Sequence, residues 1–138
     1  MILLDTSGLL AAIDASQDGH EESMAALAAA DGPMLLSPFV LAELDYLLAA
    51  RVGERARLSL LEEVERGAYA LQPISGGDIT RARSVIETHA ALGISLADAS
   101  IVVLAERHAL TDVLTLDQRH FRVLTVAGKP FRVLPADA

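Results

Sequence analysis

The extended segments of this chain are short apolar runs, and each stands between stretches that carry helix signals. Ile2-Leu3-Leu4 and Met34-Leu35-Leu36 show no polar alternation, the pattern of a strand covered on both faces; a strand with one wet face alternates instead. Tyr69 to Ile74 and Asp112 to Leu116 supply a third and a fourth strand. The C-terminal segment repeats itself as Phe121-Arg122-Val123-Leu124 and Phe131-Arg132-Val133-Leu134, and at least the second copy reads as a strand. Between them lie helices over 6–15, 18–30, 38–52, 54–66, 75–92 and 95–109, with Ser37-Pro38 as cap and first-turn proline and Gly53, Gly67 and Gly93 as stops. Strand and helix in alternation predict an α/β fold, a three-layer α/β/α sandwich around a central, mostly parallel sheet. With 138 residues, 52% of them hydrophobic, a single domain spanning 1–138 is expected.

In such a sheet, ligands bind outside the carboxyl ends of the strands, where the N-termini of the returning helices also lie. Asp5 ends the first strand and Asp117 follows the fourth. Asp98 lies in the first turn of the helix opened by Ser95, and Glu43 in the second turn of the helix opened by Ser37. All four carboxylates therefore point to one edge. Oxygen-only donors in that number suit a hard divalent cation, Mg²⁺ or Mn²⁺, and such sites serve phosphoryl-transfer chemistry.

Each acid also has a role that needs no metal. Asp5 is placed to cap a helix, Asp117 to close a turn, and Asp98 to complete a Ser-x-x-Asp capping box. Ser75 and Asp78 have the same spacing as Ser95 and Asp98, with no chemistry in view. Glu43 sits among Phe39, Val40, Tyr46 and Leu47 at helical spacing, so it reads as a carboxylate on an apolar face, which demands a partner. Asp45 has a similar setting, and pattern alone leaves open which of the two faces the site.

Charge and composition narrow the remaining classes. The absence of cysteine excludes thiol nucleophiles and zinc–thiolate clusters. No apolar run is long enough to span a membrane and the N-terminus lacks a basic leader, which points to a cytoplasmic chain. The net charge is −8, with 12 acids against 4 bases in residues 1–69 and 7 of each in 70–138. Within that second half, Arg119, Arg122, Lys129 and Arg132 occupy a stretch without acids. They read either as a track for phosphates or as a solvated edge strand. Phosphatases of the haloacid dehalogenase type need an aspartate where Ser7 stands, receiver domains need a lysine that is missing, and the phosphate-binding glycine loops are absent.

Asp5-Thr6-Ser7 after an apolar strand, Leu41-Ala42-Glu43-Leu44, Ser95-Leu96-Ala97-Asp98-Ala99, and Leu114-Thr115-Leu116-Asp117 ahead of Arg119-His120-Phe121 together resemble the PIN-domain signature. Their order, their spacing and the length of the chain are similar to the VapC toxins of bacterial toxin–antitoxin pairs. The resemblance covers essentially the whole chain. It implies a PIN-like fold and a metal-dependent endoribonuclease, with Asp5, Glu43, Asp98 and Asp117 as catalytic acids and Asp5, Asp98 and Asp117 as metal ligands. Thr6, Ser7 and Thr115 are then polar companions of the site. Many relatives carry a further acid where this chain has Thr115, which implies a second metal site that is either weak or filled only with substrate bound.

The expected reaction is attack of a metal-activated water on an RNA phosphodiester, leaving a 3′-hydroxyl and a 5′-phosphate, with the 2′-hydroxyl used for recognition. The resemblance implies as partners an RNA substrate, structured or looped and of transfer or ribosomal type, and a cognate VapB antitoxin. A homodimer is expected from the residue pattern: the helix from Pro38 to Val52 is apolar nearly all round, and Leu9, Leu10 and Ile13 form a second apolar stripe. The competing reading is a PIN fold without activity that binds RNA or antitoxin only.

Overall fold

The computed structural model describes residues 1–138. Strands β1 (Ile2–Leu4), β2 (Met34–Leu36), β3 (Ala70–Leu71), β4 (Asp112–Leu114) and β7 (Arg132–Leu134) form one sheet in the order β3-β2-β1-β4-β7, and every neighbouring pair is parallel. Helices α1 (Thr6–Ile13), α2 (His20–Ala29), α3 (Pro38–Arg51), α4 (Glu54–Glu65), α5 (Gly76–Thr88) and α6 (Leu96–His108) flank it. Three layers result, as the alternation of elements predicts. The central strands carry bare apolar runs because both faces are covered: Ile2, Leu3, Leu4, Leu36, Val113 and Leu114 are all at most 1% exposed. They anchor a continuous core of 31 buried residues.

The repeated tetrapeptide takes two different forms. Its second copy supplies β7, whereas Phe121 closes a one-turn helix, α7 (Gln118–Phe121), and Arg122 and Val123 follow in a turn. The two copies meet through Phe121 and Phe131, whose rings pack edge to face at 5.4 Å. Between them a small antiparallel hairpin, β5 (Thr125–Val126) and β6 (Lys129–Pro130), turns at Ala127 and Gly128, both at positive φ. That two-residue geometry matches the twist of a tight hairpin.

Gly8 fixes how closely α1 approaches the sheet. A Cβ built there falls 2.4 Å from the Leu114 carbonyl oxygen, so only glycine lets the first turn of α1 lie on the end of β4. The Asp5 amide donates to that same carbonyl at 3.0 Å. This contact brings the ends of β1 and β4 together, and the site is built on it.

Candidate active site

Asp5 occupies the N-cap position of α1, yet its side chain makes no capping hydrogen bond. It turns into the sheet edge instead and is 5% exposed. Its Oδ2 accepts from the Thr115 hydroxyl at 2.6 Å and from the Ser7 hydroxyl at 3.1 Å. Those hydroxyls are tied to the loop after β4: Thr115 Oγ1 accepts the Asp117 amide at 2.9 Å and Ser7 Oγ the Leu116 amide at 3.0 Å. Burial pushes the Asp5 carboxyl up to about 6, against the pull of the Thr115 hydrogen bond, and the neighbouring Asp98 adds to the rise.

Asp98 caps and faces the site at once. Its Oδ2 accepts the Ser95 amide at 3.1 Å, closing a reciprocal capping box, and stands 3.1 Å from Nδ1 of His120. Asp117 caps α7 by accepting the His120 amide at 3.0 Å, and its Oδ2 lies 2.9 Å from the same imidazole nitrogen. His120 thus bridges the two aspartates, and donor atoms of all three residues fall within 4.8 Å of one another. Its position three residues after Asp117 is the signal that marks it in the sequence, because that spacing returns a side chain to the same face of a helical turn.

These residues line a cavity of about 400 Å³, whose wall also includes Thr6, Gln17, Glu43 and Arg51. Glu43 corrects an expectation. It is exposed to solvent on α3, and Val40, Leu44 and Leu48 make the buried face of that helix. It reaches the cavity without needing a buried partner. Asp45 takes the other role: Arg57 of α4 holds it at 2.6 Å, a partner from the next helix rather than its own turn.

The four basic positions do not form one track. Arg132 is the first residue of β7, at the sheet edge opposite the site, and pairs with Asp112 at 3.1 Å. Arg122 grips Asp137 through two bonds of 2.7 Å. Lys129 lies in the β5–β6 hairpin, and Arg119, exposed on α7 next to His120, is the one nearest the cavity in the chain.

The acids of the cavity differ in their partners from the aspartates that form ion pairs. Asp45, Asp78, Asp112 and Asp137 each face an arginine. Asp5, Glu43, Asp98 and Asp117 face none, and three of them crowd one wall. Thr6 adds a buried hydroxyl without a hydrogen-bond partner on that same wall. Carboxylates without an arginine partner, one of them desolvated, together with an orphan hydroxyl fit a hard divalent cation, and the donor atoms that lie together are those of Asp98, Asp117 and His120.

Known proteins resemble this chain in sequence and in fold. Residues 2–125 match the PIN domain family. Ribonuclease VapC26 of Mycobacterium tuberculosis is 38% identical over 135 residues, covering 97% of this chain and 100% of the relative. Among solved structures, the Mycobacterium tuberculosis toxin VapC20, described as cleaving the sarcin-ricin loop, superposes with a TM-score of 0.79 at 20% identity over 85% of this chain and 90% of that one. VapBC2 from Rickettsia felis, bound to a fragment of its promoter DNA, superposes with a TM-score of 0.67 at 21% identity over 96% and 98%. The family match and the near full-length relative agree with the acidic cavity, and the chain belongs to the PIN-domain family, within its VapC group of ribonuclease toxins.

Proposed function

We propose that the chain is an endoribonuclease toxin that hydrolyses RNA phosphodiesters with Mg²⁺ or Mn²⁺ held by Asp5, Asp98 and Asp117. The observation that carries this reading is the convergence of Asp5, Glu43, Asp98 and Asp117 on one cavity, none of them paired to an arginine, whereas Asp45, Asp78, Asp112 and Asp137 each are. When bound, the cation supplies Lewis acidity towards the phosphate and lowers the pKa of the attacking water. The chain's own residues set the geometry. Ser7 and Thr115 orient the Asp5 carboxylate, and the Ser95 amide and His120 orient that of Asp98. Fixed in this way, the acids need little rearrangement as charge builds on the phosphate. Glu43, on the α3 wall of the cavity, has no hydrogen-bond partner and is placed to take the proton released by the attacking water. In-line attack leaves a 3′-hydroxyl and a 5′-phosphate.

A VapB-type antitoxin is the proposed inhibitor and a homodimer the proposed assembly. Tyr46 of α3 is 71% exposed and Leu58 of α4 is 49% exposed, an apolar surface that protein contact would cover. No helix is long and apolar enough to cross a membrane, and the cytoplasm, where RNA is met, is the proposed compartment. The direct test incubates purified protein with labelled RNA hairpins in Mn²⁺, in Mg²⁺ and in EDTA. Cleavage that requires the metal, yields 5′-phosphate ends and disappears in Asp5→Asn supports the reading. Cleavage unaffected by EDTA or by Asp5→Asn overturns it.

A further inference from the structure

Glu43, Leu47 and Arg51 recur every four residues on α3, share one face of that helix, and line the cavity together. Arg51 is the only arginine or lysine on the cavity wall. It is exposed and pairs with no carboxylate, a state it shares with Arg55, Arg66, Arg119 and Lys129, none of which lines this cavity. The nearest acid on its own face, Glu43, lies two helical turns away, about 12 Å along the axis. A basic residue in the last turn of a helix complements the helix dipole, but that role does not require it to line a cavity.

The substrate supplies the missing counter-charge. RNA must approach a chain of net charge −8 and a wall of unpaired acids, and two of the four arginine and lysine side chains expected to receive it are neutralised within the fold by Asp112 and Asp137. We infer that Arg51 is a phosphate grip: from the α3 side of the cavity, its guanidinium binds a phosphate flanking the scissile one. A planar fork with paired N–H donors suits two phosphate oxygens. The identity of the ligand rests on the ribonuclease reading, while the grip itself requires binding and not cleavage.

The test therefore measures both. In an Asp5→Asn background, affinity for a fluorescein-labelled RNA hairpin is followed across salt concentrations for Arg51, Arg51→Ala, Arg51→Lys and Arg55→Ala. The last is a charge-matched control, since Arg55 is exposed on α4 outside this cavity. Arg51→Ala is expected to weaken binding about tenfold and to reduce the salt slope by about one. Arg51→Lys should keep the slope and lose part of the affinity, and Arg55→Ala should change neither. A single neutral methylphosphonate next to the scissile linkage should weaken binding with Arg51 present and add nothing in Arg51→Ala. With Asp5 restored, the loss should appear in KM far more than in kcat, and calorimetric Mn²⁺ affinity should stay constant. An Arg51→Ala variant indistinguishable from Arg55→Ala removes the grip while leaving the ribonuclease intact. RNA binding that depends on Arg51, in a protein that cuts no RNA in Mn²⁺, removes the ribonuclease reading and leaves the grip standing.

Discussion

Ser75-Gly-Gly-Asp78 and Ser95-Leu-Ala-Asp98 close the same reciprocal capping box at the starts of α5 and α6. In both, Oδ2 of the aspartate accepts the amide of the serine, at 2.9 Å in the first and 3.1 Å in the second. The partner that oxygen finds outside the box differs. For Asp78 it is Arg107 at 2.7 Å, in the last turn of α6; for Asp98 it is His120 at 3.1 Å, beside two further acids. Asp78 is therefore held below the usual carboxylate range, by the Ser75 amide first and by Arg107 as well. Asp98 stands at the opposite end of the same helix with a side chain 11% exposed against 23% for Asp78. Under the proposed reading, capping and chemistry coexist at Asp98, and the group that faces the box is what separates it from Asp78.

The largest effect should come from neutralising each box in turn. Asp98→Asn keeps an oxygen for the Ser95 amide but removes a charge from the acidic wall, and cleavage should fall on the order of a hundredfold or more. Asp78→Asn makes the same change of atoms beside Arg107 and should leave turnover within about twofold. Initial rates on one RNA hairpin in Mn²⁺ decide between them, and equal losses in the two variants would erase the distinction between the boxes.

Next in size is a contrast in pH dependence. Asp5 titrates near 6 in the folded chain against 3.8 ordinarily, because of burial, so the folded state holds an extra proton between about pH 4 and pH 6. Stability linked to Asp5 is then full below pH 4 and declines as pH rises through 6, a loss on the order of 3 kcal/mol. Asp78 has the opposite sign: its lowered pKa contributes stability above pH 4 that disappears as acid protonates it. Without metal at pH 7, Asp5→Asn should unfold at higher urea than wild type, while Asp78→Asn should unfold at lower urea. Adding Mn²⁺ should raise the wild-type midpoint and narrow its gap from Asp5→Asn by mass action. A wild-type midpoint that does not fall between pH 4 and pH 6 relative to Asp5→Asn would show that Asp5 is not desolvated as described.

The sequence carries the sheet and most of the acidic edge because both follow from local pattern. Bare apolar triplets identify β1 and β2, and strand ends and helix starts place Asp5, Asp98 and Asp117. What it withholds depends on contacts between distant segments. Asp45 and Glu43 look alike on α3 until Arg57 arrives from α4 and claims Asp45. The acid-free run from Arg119 to Arg132 looks like a track until Asp112 and Asp137 take Arg132 and Arg122. Thr115 looks like a departure from the family pattern, and only the approach of β4 to β1 shows its hydroxyl holding Asp5. Arg51 carries no local signal at all, since nothing near it in the chain indicates a cavity.

Two glycines sharpen the contrast between the site and the plain cap, with the smaller effect in the cap. At Gly8, an added methyl would meet the Leu114 backbone at 2.4 Å, so Gly8→Ala must push α1 off β4, costing roughly 1–3 kcal/mol. It should also slow cleavage, because the same contact sets Asp5 against Thr115. Gly76 opens α5 inside the Asp78 box, and a methyl added there would have nothing within 4 Å. Alanine at this position adds helix propensity and removes unfolded-state freedom, so Gly76→Ala should stabilise by at most about 1 kcal/mol and leave turnover alone. Urea midpoints and cleavage rates for the pair are the measurement. A Gly8→Ala variant as stable and active as wild type would mean that the α1–β4 contact is loose and does not position Asp5. A Gly76→Ala variant that loses activity would tie the Asp78 box to the site, against its reading as a cap alone.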